Sequence, residues 1–212
     1  MSDIDNLLDD VKGYEHTYYD ESSDTPKLYM AEDSYHAHVT KVQTVDRMVK
    51  GKYKAKIYNI TVKLADECAN NTYKCRGIDG KVVDGNGSDF VGRELRSVGF
   101  FQFLHPKADD DFEANPGGNR RYLQFCESIG KPAQVKEVEI DGETKKMKQL
   151  PNLTESDILG VPILAVIKNG KPWKGNDGKE RVSLEVKWLE PWVEGKPIDV
   201  DAIPSKDEDI PF

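Results

Sequence analysis

Three features of the sequence predict a mainly β protein. Five segments read as strands, the first, second and last of them by alternating apolar and polar residues, one segment of helical period lies between the third and fourth, and both ends are acidic and aperiodic. In the first segment Tyr35, Ala37 and Val39 alternate with His36, His38 and Thr40. A polar stretch from Asp46 to Lys52 reads as a turn. Tyr53 to Leu64 is the strongest strand. Tyr53, Ala55 and Ile57 share one parity and Tyr58, Ile60, Val62 and Leu64 the other, so a bulge is expected near Ile57 and Tyr58. Residues 66–90, rich in Gly and Asp, read as a long hairpin excursion, and a third strand follows from Val91 to Leu104. Asn115-Pro116-Gly117-Gly118-Asn119 opens a helix with Tyr122, Leu123, Phe125, Cys126 and Ile129 on one face; Gly130 is its C-cap and Pro132 lies beyond. Residues 133–150 form a charged hairpin turning at Asp141-Gly142. The last two strands are Val161–Lys168 and Arg181–Trp188, joined by the loop "KNGKPWKGNDGKE". In the last strand Val182, Leu184, Val186 and Trp188 form the apolar face, which assigns Trp188 to the core.

Five strands with a helix between the third and fourth is the element order of the OB-fold, a five-stranded Greek-key barrel, and a bend in a long early strand suits its closure. The expected organisation is an acidic flexible arm over 1–33, the barrel with its hairpin insertions over 34–193, and a disordered acidic tail over 194–212.

The formal net charge of −8 argues against a polyanionic partner until its distribution is considered. Residues 1–26 carry eight acids against Lys12, and residues 194–212 carry six acids against Lys196 and Lys206. The middle of the chain is left at +3. No stretch is long and apolar enough for a membrane span, no secretion signal is evident, and Cys68, Cys75 and Cys126 make no disulfide framework. A cytoplasmic protein without a membrane partner is expected.

An OB-fold binds strands of nucleic acid across its second and third strands and with the loops joining strands one to two and four to five. The first of those loops offers Arg47, Lys50 and Lys52; the second strand Lys54, Lys56 and Tyr58; the third Arg93, Arg96 and Phe100; the last loop Lys171, Trp173 and Lys174. Cations neutralise phosphates and flat rings stack on unpaired bases, so this interleaving points to single-stranded DNA. Tyr58 and Phe100 read equally well as core, whereas Trp173 sits in a Gly- and Lys-rich loop that suits a ligand contact.

Enzymatic readings find little purchase, and neither a catalytic residue, a cofactor nor a metal is expected. Gly85-Asn86-Gly87 lacks the third glycine of a dinucleotide loop, and Asp84 to Asp89 matches only half of a calcium loop. Asp109-Asp110-Asp111 reads as a solvated loop. Cys68 and Cys75 are too far apart in sequence for the usual zinc spacing and lack a histidine pair. His36 and His38 share a strand face, which suits weak metal binding or plain strand polarity.

The chain ends in Asp207, Glu208, Asp209, Ile210, Pro211 and Phe212. A basic middle, a Pro-rich linker and an acidic tip ending in Ile-Pro-Phe resemble bacterial single-stranded DNA-binding proteins. The "NRRYLQFCESIGKP" segment looks more like phage proteins of that kind. The resemblance implies a non-catalytic protein, phage-encoded and acting in the bacterial host cytoplasm. It would coat single strands without sequence specificity during replication, recombination or repair. It also implies that residues 207–212 dock on replication and repair enzymes, the Phe212 ring in a pocket and its carboxylate on a basic rim. Two other readings stand beside it: a decoy whose acidic ends occupy the host protein's partners, and a small metal-dependent nuclease. The sequence leaves the oligomeric state open.

Overall fold

The computed structural model describes residues 28–51, 53–77, 80–106, 112–114, 119–140, 142–176, 178 and 180–201. They are mainly β-strand, with a single α-helix among the described residues, and no helix is long and apolar enough to cross a membrane. The acidic arm up to residue 27 and the tip at 207–212 lie outside the described residues.

The main sheet runs β14 (Leu184–Pro191), β11 (Pro162–Asn169), β2 (Ser34–Val49), β3 (Tyr53–Leu64), β7 (Phe100–Pro106) and β8 (Phe112–Ala114), with β6 (Glu94–Arg96) also on β3. β2 is longer than its alternation suggests. It pairs with β3 out to Val49 and Tyr53, so the expected turn over 46–52 shrinks to the hairpin tip, where Lys50 and Gly51 have φ of 53° and 64°. Arg47 is therefore a strand residue opposite Ala55.

The bulge expected at Ile57 and Tyr58 is absent: β3 keeps one register with β2 through both. The irregularities fall on its neighbours instead. β2 shifts between Val39 and Lys41, and the third strand is split into β6 and β7 by Ser97 to Gly99, with Gly99 at φ 84°. Ser97 Oγ accepts from the Ile60 and Gly99 amides at 3.1 and 3.3 Å, which stitches the break. Ile57 and Tyr58 are both buried, because apolar residues pack on both faces of β3 at that point. Tyr58 faces the core, while Ala55 and Ile57 lie beside Phe103 and Phe101 on the outer face.

The ends of the strand order approach each other. Ser97 forms a parallel bridge to Val186, and the Val98 amide donates to the Val186 carbonyl at 3.3 Å, with no continuous ladder between the strands. The core between them is filled by Tyr35, Val39, Tyr58, Ile60, Ile163 and Val186. Helix α1 (Arg120–Ser128) closes one end through Tyr122, Phe125 and Cys126, as its periodicity predicts. The Phe125 ring stacks on Phe100 at 4.3 Å, and burial pushes the Cys126 thiol up to about 12. Gly130 caps the helix at φ 74° while the Lys131 amide donates to the Cys126 carbonyl at 2.8 Å.

Trp188 does not enter the core. The β11–β14 register shifts between Val166 and Ile167, which oppose Trp188 and Val186, so Lys187 is an extra residue. Beyond it the parity reverses. Val186 and Leu189 are buried and Trp188 is 42% exposed.

The hairpin excursion is β4 (Thr72–Arg76) and β5 (Val82–Asn86), to which β1 (Tyr29–Met30) adds a third strand. Residues 28–33, assigned to the arm from composition, thus join the fold: Met30 is buried and the Tyr35 hydroxyl donates to Ala31 at 3.0 Å. The charged hairpin is β9 (Gln134–Ile140) and β10 (Glu143–Gln149), a two-stranded sheet by itself. The tail assignment also begins too early. Trp192 packs against His36 and His38, and the Ile198 amide donates to Gly160 at 3.0 Å. Residues 192–198 form no strand, yet they lie against the sheet.

Candidate nucleic-acid interface

Side chains on a strand alternate between faces, so register decides which predicted residues can act together. On the outer face of β2, β3 and β7 the pairs are Arg47 with Ala55 and Val45 with Ile57, then Ala55 with Phe103 and Ile57 with Phe101. Phe101 and Phe103 stack at 5.7 Å between centroids, nearly parallel at 16°, and both are half-buried. Further along the same face come Gln43 opposite Asn59, then Lys41 opposite Thr61, with Thr61 paired in turn to Arg96. These polar residues line a depression of about 450 Å³ beside the aromatic pair.

The cations on this face differ in freedom. Arg47 and Arg96 are exposed and form no ion pair among the described residues, whereas Lys41 reaches Glu94 at 3.3 Å. Lys50 sits exposed at the hairpin tip, and Lys52 lies outside the described residues. Arg93 is exposed in the turn before β6. Because the Ser97–Val186 bridge is parallel, the start of β14 lies beside β6, and the loop before β14 leads into that end. That loop carries a short ladder of β12 (Trp173–Lys174) with β13 (Glu180–Arg181). Trp173 is 50% exposed with the Arg181 guanidinium 5.6 Å from its ring centre, and Lys171 and Lys174 are exposed nearby.

Tyr58, Phe100, Lys54 and Lys56 are turned away from this face. Tyr58 is fully buried, its hydroxyl donating to the Leu153 carbonyl at 3.2 Å, and Phe100 is 1% exposed under the helix. Neither ring presents a face to a base. Lys54 and Lys56 share Tyr58's parity and so lie on the opposite side from Arg47. Lys56 Nζ is 5.2 Å from the Tyr58 ring centre and donates to the Leu153 carbonyl at 3.4 Å.

Sequence reasoning missed Phe101 and Phe103. The signal was present in Phe100-Phe101-Gln102-Phe103, where rings occupy both parities and one face must carry two of them outward. Buried Asn119 holds this segment. Its side-chain oxygen accepts from the Phe103 amide at 2.7 Å and its amide donates to the Phe103 carbonyl at 2.9 Å, as a neighbouring strand would. The side chain is thereby unavailable to cap α1, and the helix start has no side-chain cap.

The other motifs have structural occupations. His36 Nδ1 lies 3.3 Å from the Tyr73 hydroxyl and His38 Nε2 lies 2.9 Å from the Lys196 carbonyl. Cys68 and Cys75 are buried thiols, raised by desolvation, with Cys68 donating to the His36 carbonyl at 3.2 Å. At Gly87 a Cβ would fall 2.0 Å from the Cys68 carbonyl oxygen, so close backbone packing requires this glycine. Asp84 pairs with Lys74 at 2.5 Å. Among the described residues no three His, Cys, Asp or Glu side chains converge, and Asp109 to Asp111 lie outside those residues.

No protein-family model matches the chain, and no curated protein or solved structure matches it.

Proposed function

We propose that the chain is a non-catalytic protein that binds single-stranded DNA without sequence preference, on a barrel of the OB type. The observation that carries this reading is the outer face of β2, β3 and β7, where stacked Phe101 and Phe103 lie between Arg47 and the Arg96 depression. Rings offer a π-face to any base, and the flanking guanidiniums meet phosphates on either side. Gln43, Asn59 and Thr61 supply neutral hydrogen-bonding groups in the same row. Trp173, with Lys171 and Lys174, adds a second aromatic and cationic element from the loop before β14.

Topology supports the barrel reading. The strand order β14-β11-β2-β3-β7 returns on itself through the parallel Ser97–Val186 bridge, and the helix lies between the third and fourth long strands. This order supports an OB-type reading, and the face of the second and third strands is where such folds hold single strands. The acidic tip at 207–212 serves in this reading as the docking element for replication and repair enzymes.

Fluorescence anisotropy of a labelled oligothymidine at two salt concentrations tests the reading. Log affinity should fall with log salt at about 0.7 per phosphate neutralised. Base composition should matter little, and duplex of equal length should bind more weakly. Duplex bound as tightly as single strand, or no binding at low salt, overturns it.

A further inference from the structure

Among the described residues the β9–β10 hairpin has two free edges. Among those residues its strands pair with each other alone, and its described side chains are exposed throughout, including Val135, Val138 and Met147 at 61, 42 and 43%. A lone two-stranded ribbon is marginal in water, and an uncovered edge is a template for another strand. Its two strands also differ in charge. β9 carries Lys136, Glu137 and Glu139, whereas β10 carries Glu143, Lys145, Lys146 and Lys148. The outer edge of one strand is acidic on balance and that of the other basic.

For the pairings that overlap most of each strand, charge selects how two copies could meet. Pairing like edges about a two-fold axis keeps each side chain on its own face, so partners have equal parity. Centred on Glu137, β9 would set Glu137 against its own copy; centred on Val138, Glu137 would oppose Glu139. Centred on Lys146, β10 would set Lys146 against itself; centred on Met147, Lys146 would oppose Lys148. Like charges directly opposite are destabilising.

Unlike edges fit. Within the hairpin Lys146 opposes Glu137 and Lys148 opposes Val135. When β9 of a second copy is slid two residues from that register and laid on β10, Lys146 opposes Glu139 and Lys148 opposes Glu137 on one face. On the other face Met147 opposes Val138. Two ion pairs and one apolar pair result, with no like charges opposed among the lysines and glutamates named.

We propose that the β9–β10 hairpin is a head-to-tail self-association surface, the β10 edge of one copy accepting the β9 edge of the next. Such an interface is heterologous. Each copy keeps one edge open, so the assembly grows as a chain instead of closing as a dimer. A single added strand pairing is small, so association of the free protein is weak and concentration-dependent. On the single-stranded lattice proposed above, on which this consequence alone rests, adjacent copies would contact at high effective concentration and bind cooperatively.

Sedimentation of the full chain without nucleic acid tests the surface independently of DNA binding. Wild type should show a weight-average mass that rises with concentration beyond the dimer. Lys148→Glu spoils only the β10 edge and Glu139→Lys only the β9 edge, and both leave the Lys146–Glu137 pair of the hairpin in place. Each variant alone should remain a monomer. Their mixture should form dimers and stop there, because one copy contributes an intact β9 and the other an intact β10. Wild type that stays monomeric at high concentration overturns the proposal. So does a mixture that behaves as its separate parts, since a two-fold interface gives no such rescue.

Discussion

Phe100 and Phe101 are neighbours in sequence with opposite surroundings. Phe100 lies under the helix against Phe125, and Phe101 stacks on Phe103 at the outer face. The two truncations should therefore separate stability from binding. Phe100→Ala should lower stability by about 3–5 kcal/mol, a core cavity cost, in a urea melt. Phe101→Ala or Phe103→Ala should weaken oligothymidine binding by about 1–3 kcal/mol each, read by anisotropy, with a smaller stability loss. Equal stability losses with unchanged binding would remove the outer face from the proposed site. Asp157 gives a second residue-scale test. Lys131 Nζ at 2.8 Å, with the Thr154 hydroxyl and amide at 2.7 and 2.9 Å, holds its carboxyl well below the usual carboxylate range. A depressed folded pKa stabilises at pH above the unfolded value of about 3.9, and the contribution fades as pH falls through the folded value. Asp157→Asn should lower Tm at pH 7, and the gap from wild type should close as acid is added. A gap that stays constant down to pH 2 would assign the effect to packing.

At the scale of elements, Lys187 decides the last strand. One extra residue opposite β11 reverses the parity, turning Trp188 outward and Leu189 inward. Trp188→Ala should then shift Tm little, while Leu189→Ala should cost about 2–5 kcal/mol. The reverse ranking would show that the strand runs in simple alternation. Trp188 instead lines a hollow of about 540 Å³ with Arg120 and Gln124 on α1. The helix is tied to this strand from its other end, where the Ser128 hydroxyl donates to the Leu189 carbonyl at 2.7 Å. The two elements flanking the hollow are thus fixed by one buried contact as well as by their side chains.

For the whole molecule, the question is where the fold ends. Trp192 packs on His36, Lys196 meets His38, and Gly160, at φ 74°, would place a Cβ 2.2 Å from the Ile198 carbonyl oxygen. Residues 192–198 are thus part of the folded body, and residues 207–212 follow it in the sequence. Two truncations distinguish these parts. Removing 207–212 should leave Tm unchanged and the proposed DNA affinity equal or slightly higher, most visibly at low salt, because the acids of the tip no longer compete with phosphates for the cations of the sheet. Removing 192–212 should lower Tm. A pull-down from host lysate should lose its replication and repair enzymes with the shorter truncation alone. Retention of the same partners without 207–212 would exclude the tip as the docking element.

The sequence by itself located the long strands, though neither the full length of β2 nor the break that splits the third, and it determined the helix face, the Gly130 cap, the hairpin between Ile140 and Glu143 and the exposure of Trp173. Those follow from periodicity and turn chemistry within a few residues. Tertiary structure decided the rest. The parity change at Ile57 and Tyr58 is real in the sequence, yet a bulge in β3 and a strand buried on both faces write the same pattern. The unbroken register with β2, and Phe101 and Phe103 across the strand, distinguish them. Trp188 is apolar and in phase, and a register shift against β11 expels it. Residues 28–33 and 192–198 have no period of their own, and they become structured because β4, His36, His38 and Gly160 offer partners distant in the chain. Alternation is a property of one strand, whereas register, bulges and the packing of aperiodic segments are set by what lies opposite, which local sequence does not specify.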